Sequence, residues 1–275
     1  MEFNIRLSNG QILRGVIKSP GDNIKAVVLM FHGLGEHIQR YNHWAEMFNT
    51  RGIGFAGVDL PGHGCSDGRR GHIKSFRLIE ELAGTLIDES RKTFPGVPVF
   101  LYGHSMGGGI VLDYLLRKKP KVKGAVVTSP WLRLSFEPNK MKLKLAAVMK
   151  HILPAFVQPS GLNPDHLSHD RLVSDNYVTD PLVHGKISVS LFNGITNAAK
   201  YSLSSAPELG IPVLLLHGSE DAVTSPEGSR EFAEKSEMVE FRLLDGGYHE
   251  LHNETFKEEV FTVILNWIEK RLASK

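Results

Sequence analysis

Short apolar runs recur along the chain, and stretches with apolar residues at helical spacing fill most of the gaps between them. Ala26–Phe31, Ile53–Val58, Val97–Tyr102, Gly124–Thr128, Pro212–Leu216 and Val239–Leu244 are brief and rich in Val, Ile, Leu and Phe. Runs of that length and composition predict strands. Segments near 39–51, 75–93, 105–118, 226–236 and 255–272 predict helices. Strand alternating with helix argues for an α/β fold with a mostly parallel sheet covered on both faces. At the start of the chain, residues 2–7 and 11–18 flank Ser8-Asn9-Gly10, which predicts an antiparallel hairpin.

The rhythm is interrupted once. After Thr128-Ser129-Pro130 no strand-like run appears for about 75 residues, far more than a crossover needs, until Pro212 resumes the pattern. A core of residues 1–129 and 207–275 with a helical cap inserted over 130–206 is the expected organisation. The first cap helix, Asn139 to Leu153, places Met141, Leu145, Val148, Met149 and Ile152 on one face before Pro154 ends it. Lys140, Lys144 and Lys150 stand elsewhere on it. Such a helix can cover the protein's own pocket or rest on a lipid surface.

Composition narrows the function classes. The chain has 275 residues, enough to bury a full core in one domain with an insertion. With 32 basic and 30 acidic residues and no long basic run, it gives no case for binding nucleic acid. Cys65 is the single cysteine, so no internal disulfide forms and the balance leans towards the cytoplasm. No apolar run reaches the ~20 residues of a membrane span, and the first residues lack the pattern of a signal peptide.

The chemistry starts at Gly103-His104-Ser105-Met106-Gly107, which lies between an expected strand and an expected helix. G-x-S-x-G in that context lifts the serine above the sheet on a turn too tight for side chains at the flanking glycines. A serine hydroxyl needs an imidazole to accept its proton, and the imidazole needs a carboxylate to fix its tautomer. Val213-Leu214-Leu215-Leu216 empties into a loop carrying Glu220 and Asp221, and Val239–Leu244 empties into one carrying His249. Acid then base, each past a later strand, is the order this chemistry uses. Backbone N–H groups of Met106 and Leu34, the latter in His32-Gly33-Leu34-Gly35-Glu36-His37, are candidates for the oxyanion hole. The other histidines, among them His63, His72, His151, His166, His169 and His184, read as surface or structural residues. His249-Glu250-Leu251-His252 differs from the zincin H-E-x-x-H because its histidines are three apart, so no metal is expected.

Four stretches together resemble the monoacylglycerol lipase and lysophospholipase branch of the α/β-hydrolases. They are His32–His37 with Arg40-Tyr41, Asp59-Leu60-Pro61-Gly62-His63-Gly64-Cys65-Ser66-Asp67-Gly68, Gly103–Gly108, and Tyr248–His252. The resemblance covers nearly the whole chain. It implies an α/β-hydrolase fold with about eight strands and a cap forming an acyl tunnel. It also implies a Ser105, Asp221, His249 triad, choosing Asp221 over Glu220, and no cofactor. Glu36, Arg40 and His252 map onto residues that hold the glycerol end. Leu34 stands where the family commonly has the smaller alanine. The expected function is therefore hydrolysis of a small lipid ester, monoacylglycerol foremost, with membrane or micelle contact through the cap. The rivals are a lysophospholipase, a general carboxylesterase, a thioesterase or a proline-type peptidase of the same fold, and, from another class, a non-catalytic lipid-binding module. A dehalogenase is disfavoured because its nucleophile is an aspartate.

Overall fold

The computed structural model describes residues 1–136 and 152–274. The N-terminal hairpin consists of β1 (Glu2–Arg6) and β2 (Ile12–Lys18). Then follow β3 (Ala26–Phe31), α1 (Asn42–Asn49), β4 (Ile53–Val58), α2 (Arg77–Thr93), β5 (Val99–His104), α3 (Met106–Lys118) and β6 (Gly124–Thr128). Residues 157–205 contribute β7 (Val157–Pro159), α4 (Arg171–Thr179), β8 (Lys186–Ser188) and α5 (Val189–Ser205). The chain finishes with β9 (Val213–Gly218), α6 (Pro226–Glu234), β10 (Val239–Leu244) and α7 (Lys257–Ala273).

Eight strands form one sheet in the order β1-β2-β4-β3-β5-β6-β9-β10. The hairpin joins it antiparallel through β2 and β4, and every pairing from β4 to β10 is parallel. The central strands are buried along their whole length because helices cover both faces. Successive side chains of a strand point to opposite faces, so the sheet divides the core in two. Val27, Leu29 and Phe31 of β3 join Leu101, Val127 and Leu215 on the face carrying α2, α3 and α5. Val28 and Met30 join Phe100, Tyr102, Val126 and Leu216 on the face carrying α1 and α7.

Two strands end later than expected. β5 runs on through Gly103-His104 and β9 through His217-Gly218, because each stays in register with its neighbour up to the loop that carries the chemistry. The region after β6 is not purely helical, since β7 and β8 pair antiparallel as a small separate ribbon. α5 packs back on α3 and places Ile195 and Ala198 in the main core. The amphipathic helix expected over Asn139–Leu153 falls almost wholly outside the described residues.

The chain passes from β3 to β4 on one side and then to β5 on the other. A crevice opens at the carboxyl ends of strands where the order reverses in this way. Ser105 follows β5 there, and the Gly33-Leu34 loop follows β3.

Candidate active site

Ser105 occupies a sharp turn between β5 and α3, with φ 55° and ψ −118°, a strained backbone for a residue with a side chain. The turn is over-determined by its neighbours. Ser105 N–H donates to the Thr128 carbonyl at 3.0 Å, and the Ser105 carbonyl accepts from Gly109 and Trp131 N–H at 3.0 and 2.9 Å. Space demands the flanking glycines: a Cβ on Gly103 would strike the Gly107 carbonyl, and one on Gly107 would strike that of Phe31.

His249 Nε2 lies 2.9 Å from Ser105 Oγ, and His249 Nδ1 lies 2.8 Å from Asp221 Oδ2. A carboxylate only accepts, so Nδ1 carries the hydrogen and Nε2 is free to take the serine proton. Asp221 is fixed in turn: its Oδ1 accepts the N–H groups of Val223 and Thr224 at 2.8 and 2.9 Å. Burial alone would raise the Asp221 pKa; the charge of His249 and the donors on its oxygens outweigh it and hold the group far below the usual carboxylate range. Burial likewise works against a charged His249, but the Asp221 carboxylate, with Glu250 and Glu36 beyond it, raises its pKa above the ordinary 6.5.

The loop after β3 closes the other side. A Cβ on Gly33 would stand 2.8 Å from Glu36 Oε1 and 3.2 Å from Ser105 Cβ, so a larger residue would have to displace Glu36. Gly33 N–H donates to Glu36 Oε1, which also accepts from the Tyr41 hydroxyl at 2.8 Å. Leu34 and Met106 N–H groups donate to no protein acceptor among the described residues, which leaves both available to a developing oxyanion.

Above Ser105 opens a cavity of about 450 Å³ with mostly apolar walls, among them Leu34, Trp131, Leu134, Leu167, Ile187 and Phe192. Polar residues of its lining include Glu36, His104, Gln158, Ser160, Tyr177 and Glu250. The three residues expected at the glycerol end are therefore arranged unequally. Glu36 reaches the cavity wall, whereas Arg40 and His252 lie behind it. Arg40 is bidentate to Glu250, with Nη1 to Oε1 at 2.6 Å and Nη2 to Oε2 at 2.8 Å, and Nη1 also bonds Glu36 Oε2 at 2.7 Å. Glu250 would be raised by burial, but Arg40 brings it down to about 2. His252 stacks on Tyr41 at 4.5 Å, has no hydrogen-bond partner on either ring nitrogen among the described residues, and is pushed down to about 3 by burial. Glu36, Glu250 and His252 offer oxygen and nitrogen atoms within 4.8 Å of one another, a grouping that could hold a cation, but the Arg40 guanidinium already bridges the two carboxylates.

Residues 166–184 are tied both to the loop of His249 and to the loop after β3. His249 N–H donates to the His166 carbonyl at 3.4 Å, Glu250 N–H to that of Leu167 at 2.7 Å, and Ser168 Oγ–H to that of Asn253 at 2.8 Å. On the oxyanion side, His184 N–H donates to the Gly35 carbonyl at 2.8 Å and His37 Nε2 pairs with Asp180 at 2.9 Å.

This geometry suits acyl transfer, and the comparison with known proteins agrees. A family model described as serine aminopeptidase, S33, matches residues 22–256. The chain belongs to this α/β-hydrolase family. Within it, the chain is 30% identical over 257 residues to the monoacylglycerol lipase of Mycolicibacterium smegmatis, covering 92% of this chain and 91% of that protein. An abhydrolase domain-containing protein of Dictyostelium discoideum is 35% identical over 258 residues, and there the chain spans only 26% of the relative's length. The crystal structure of Paleococcus ferrophilus monoacylglycerol lipase superposes with a TM-score of 0.87 at 33% identity, covering 94% of this chain and 99% of that one. The protein is thus a monoglyceride lipase-like α/β-hydrolase of the S33 family and a serine ester hydrolase. Sequence reasoning left Glu250 and His217 out of the site; Glu250 is adjacent to His249, and His217 sits four residues before Asp221.

Proposed function

We propose that the protein hydrolyses monoacylglycerols to fatty acid and glycerol through an acyl-enzyme on Ser105. The observation that carries this is the single imidazole of His249 bridging Ser105 and Asp221 at 2.9 and 2.8 Å on the floor of an apolar cavity. Ser105 Oγ attacks the ester carbonyl as His249 Nε2 takes its proton, and Leu34 and Met106 N–H groups stabilise the oxyanion. The C–O bond to glycerol breaks, and His249 returns the proton to the leaving alkoxide. Water, giving a proton to the same nitrogen, then attacks the acyl-serine carbonyl, and as the C–O bond to Ser105 breaks His249 returns that proton to Ser105 Oγ, releasing the fatty acid.

The head-group end favours a polyol over an anionic head group. Glu36 and Glu250 place two carboxylates against one guanidinium, an excess of negative charge beside the leaving group. The cap over 130–206 provides the acyl walls through Trp131, Leu134, Leu167 and Phe192. No helix among the described residues is long and apolar enough to cross a membrane. Ile152, Leu153, Phe156, Leu172 and Val178 are exposed in the cap region, which suits peripheral contact with a lipid surface where the substrate resides.

The test is a parallel assay of monoacylglycerol, lysophosphatidylcholine and short p-nitrophenyl esters, with fluorophosphonate labelling of wild type and Ser105→Ala. The expected result is labelling of Ser105 only, turnover abolished in Ser105→Ala, and monoacylglycerol as the best substrate. A folded wild type without an adduct would point to a lipid-binding module, and a preference for lysophosphatidylcholine to a lysophospholipase.

A further inference from the structure

His217 closes β9 where the chain turns into the loop that bears Asp221, and its ring is fully buried. Nδ1 lies 2.7 Å from Ser229 Oγ on α6. Nε2 lies 3.0 Å from Asp221 Oδ2 and 2.9 Å from the Thr224 carbonyl. Both of those oxygens only accept, so Nε2 carries the ring hydrogen and Nδ1 accepts from the Ser229 hydroxyl. The Asp221 oxygen that His217 reaches is the one that accepts from His249 Nδ1 at 2.8 Å. Two imidazoles therefore donate to a single carboxylate oxygen. The remaining neighbour of that oxygen, Thr224 Oγ1 at 3.0 Å, has one hydrogen to divide between it and the Ser129 carbonyl, also at 3.0 Å.

We propose that His217 is a positioning residue for ester hydrolysis: its Nε2–H holds the Asp221 carboxylate in line with His249 and limits the pull of Oδ2 on the His249 proton. The proposal rests on the triad reading given above. Without this donor the carboxylate is less restrained and more basic. Less restraint misaligns the imidazole, which lowers kcat, and greater basicity raises the proton affinity of His249. The other groups facing His249 are Glu250 beside it, Glu36 from the loop after β3, His104, whose ring centre is 4.8 Å away, and His252; burial keeps both of these histidines neutral. A substitution at His217 changes none of them, so a shift in the acid limb reports on His217.

The experiment compares His217→Met with His217→Gln, whose amide can still donate towards the two oxygens. Both are checked for folding by circular dichroism and assayed on monoacylglycerol across about pH 5 to 9. His217→Met is expected to lose ~10- to 100-fold in kcat with KM little changed, and to move the acid limb to higher pH. His217→Gln is expected to recover most of the rate and the wild-type limb. The proposal is overturned if folded His217→Met keeps wild-type kcat, or if both variants lose rate equally with an unmoved limb. Nitrogen-15 NMR of histidine-labelled wild type provides a check that needs no variant: His217 should be the Nε2–H tautomer, and finding Nδ1–H would overturn the proposal. Failure of Ser105 to label would instead overturn the triad reading, which these His217 outcomes leave untouched.

Discussion

Glu36 accepts the Gly33 N–H through the same oxygen that takes the Tyr41 hydroxyl, which couples a buried carboxylate to the backbone that carries the Leu34 N–H. Glu36 is only 2% exposed and its second oxygen belongs to Arg40, so its lone pairs serve the loop more than they serve a ligand. Glu36→Ala should therefore act on the chemical step. A loss of ~10²-fold in kcat, with a smaller change in KM, is expected in monoacylglycerol hydrolysis. A change confined to KM would assign Glu36 to binding alone.

The pH dependence follows from His249. The base works only when neutral, and Asp221 holds its pKa above 6.5 in the folded protein. As pH falls through that raised value, His249 takes up a proton and kcat/KM declines. The acid limb should accordingly lie above 6.5, and a limb below it in the pH–rate profile would contradict the arrangement. Removing the charge with Asp221→Asn should lower kcat by ~10⁴-fold.

Arg40 is expected to matter for stability. Arg40→Met leaves Glu36 and Glu250 buried together without their cation, a loss of ~3–5 kcal/mol by urea unfolding. In the wild type, Glu250 is held at about 2 against an ordinary 4.5, so its contribution is present above 4.5 and lost as pH falls through about 2. In the variant the sign reverses: with the guanidinium gone, burial and the second carboxylate raise the Glu250 pKa, and protonation relieves the strain. The deficit of Arg40→Met should thus shrink as the solution is acidified, which unfolding curves at several pH values would measure.

Gly107→Ala tests the elbow. Its Cβ would meet the Phe31 carbonyl, a backbone atom of a central strand that cannot move aside. A destabilisation on the order of 3 kcal/mol, with loss of fluorophosphonate labelling, is expected. Gly210→Ala meets nothing within 4 Å and serves as the near-neutral comparison.

Much of this fold is legible without coordinates, for identifiable reasons. β3, β4 and β6 begin and end where their apolar runs do, because a strand buried between helices is marked by nearly every residue, and the edge strand β10 keeps the same bounds although it is only partly buried. β5 and β9 overrun their apolar runs because Gly103-His104 and His217-Gly218 are held by parallel pairing, which leaves no pattern in composition. The β7–β8 ribbon is three residues per strand, too short to alternate, and is anchored by contacts such as Ser188 N–H to the Gly71 carbonyl. Ser105, Asp221 and His249 are candidates from the loops that carry them, and the structure brings His249 within hydrogen-bond distance of both Ser105 and Asp221. The pairing of Arg40 with Glu250 is not legible in the sequence, since it joins residues 210 positions apart and no local spacing signals it.

Hydrogen bonds tie residues 166–168 to the loop that carries His249. A change that displaces residues 166–168 is therefore expected to disturb the placement of His249 relative to Ser105 as well. Chimaeras that exchange residues 130–206 with a relative's to alter acyl preference should keep residues 164–170 from this chain, or they will replace the support of His249 along with the pocket wall.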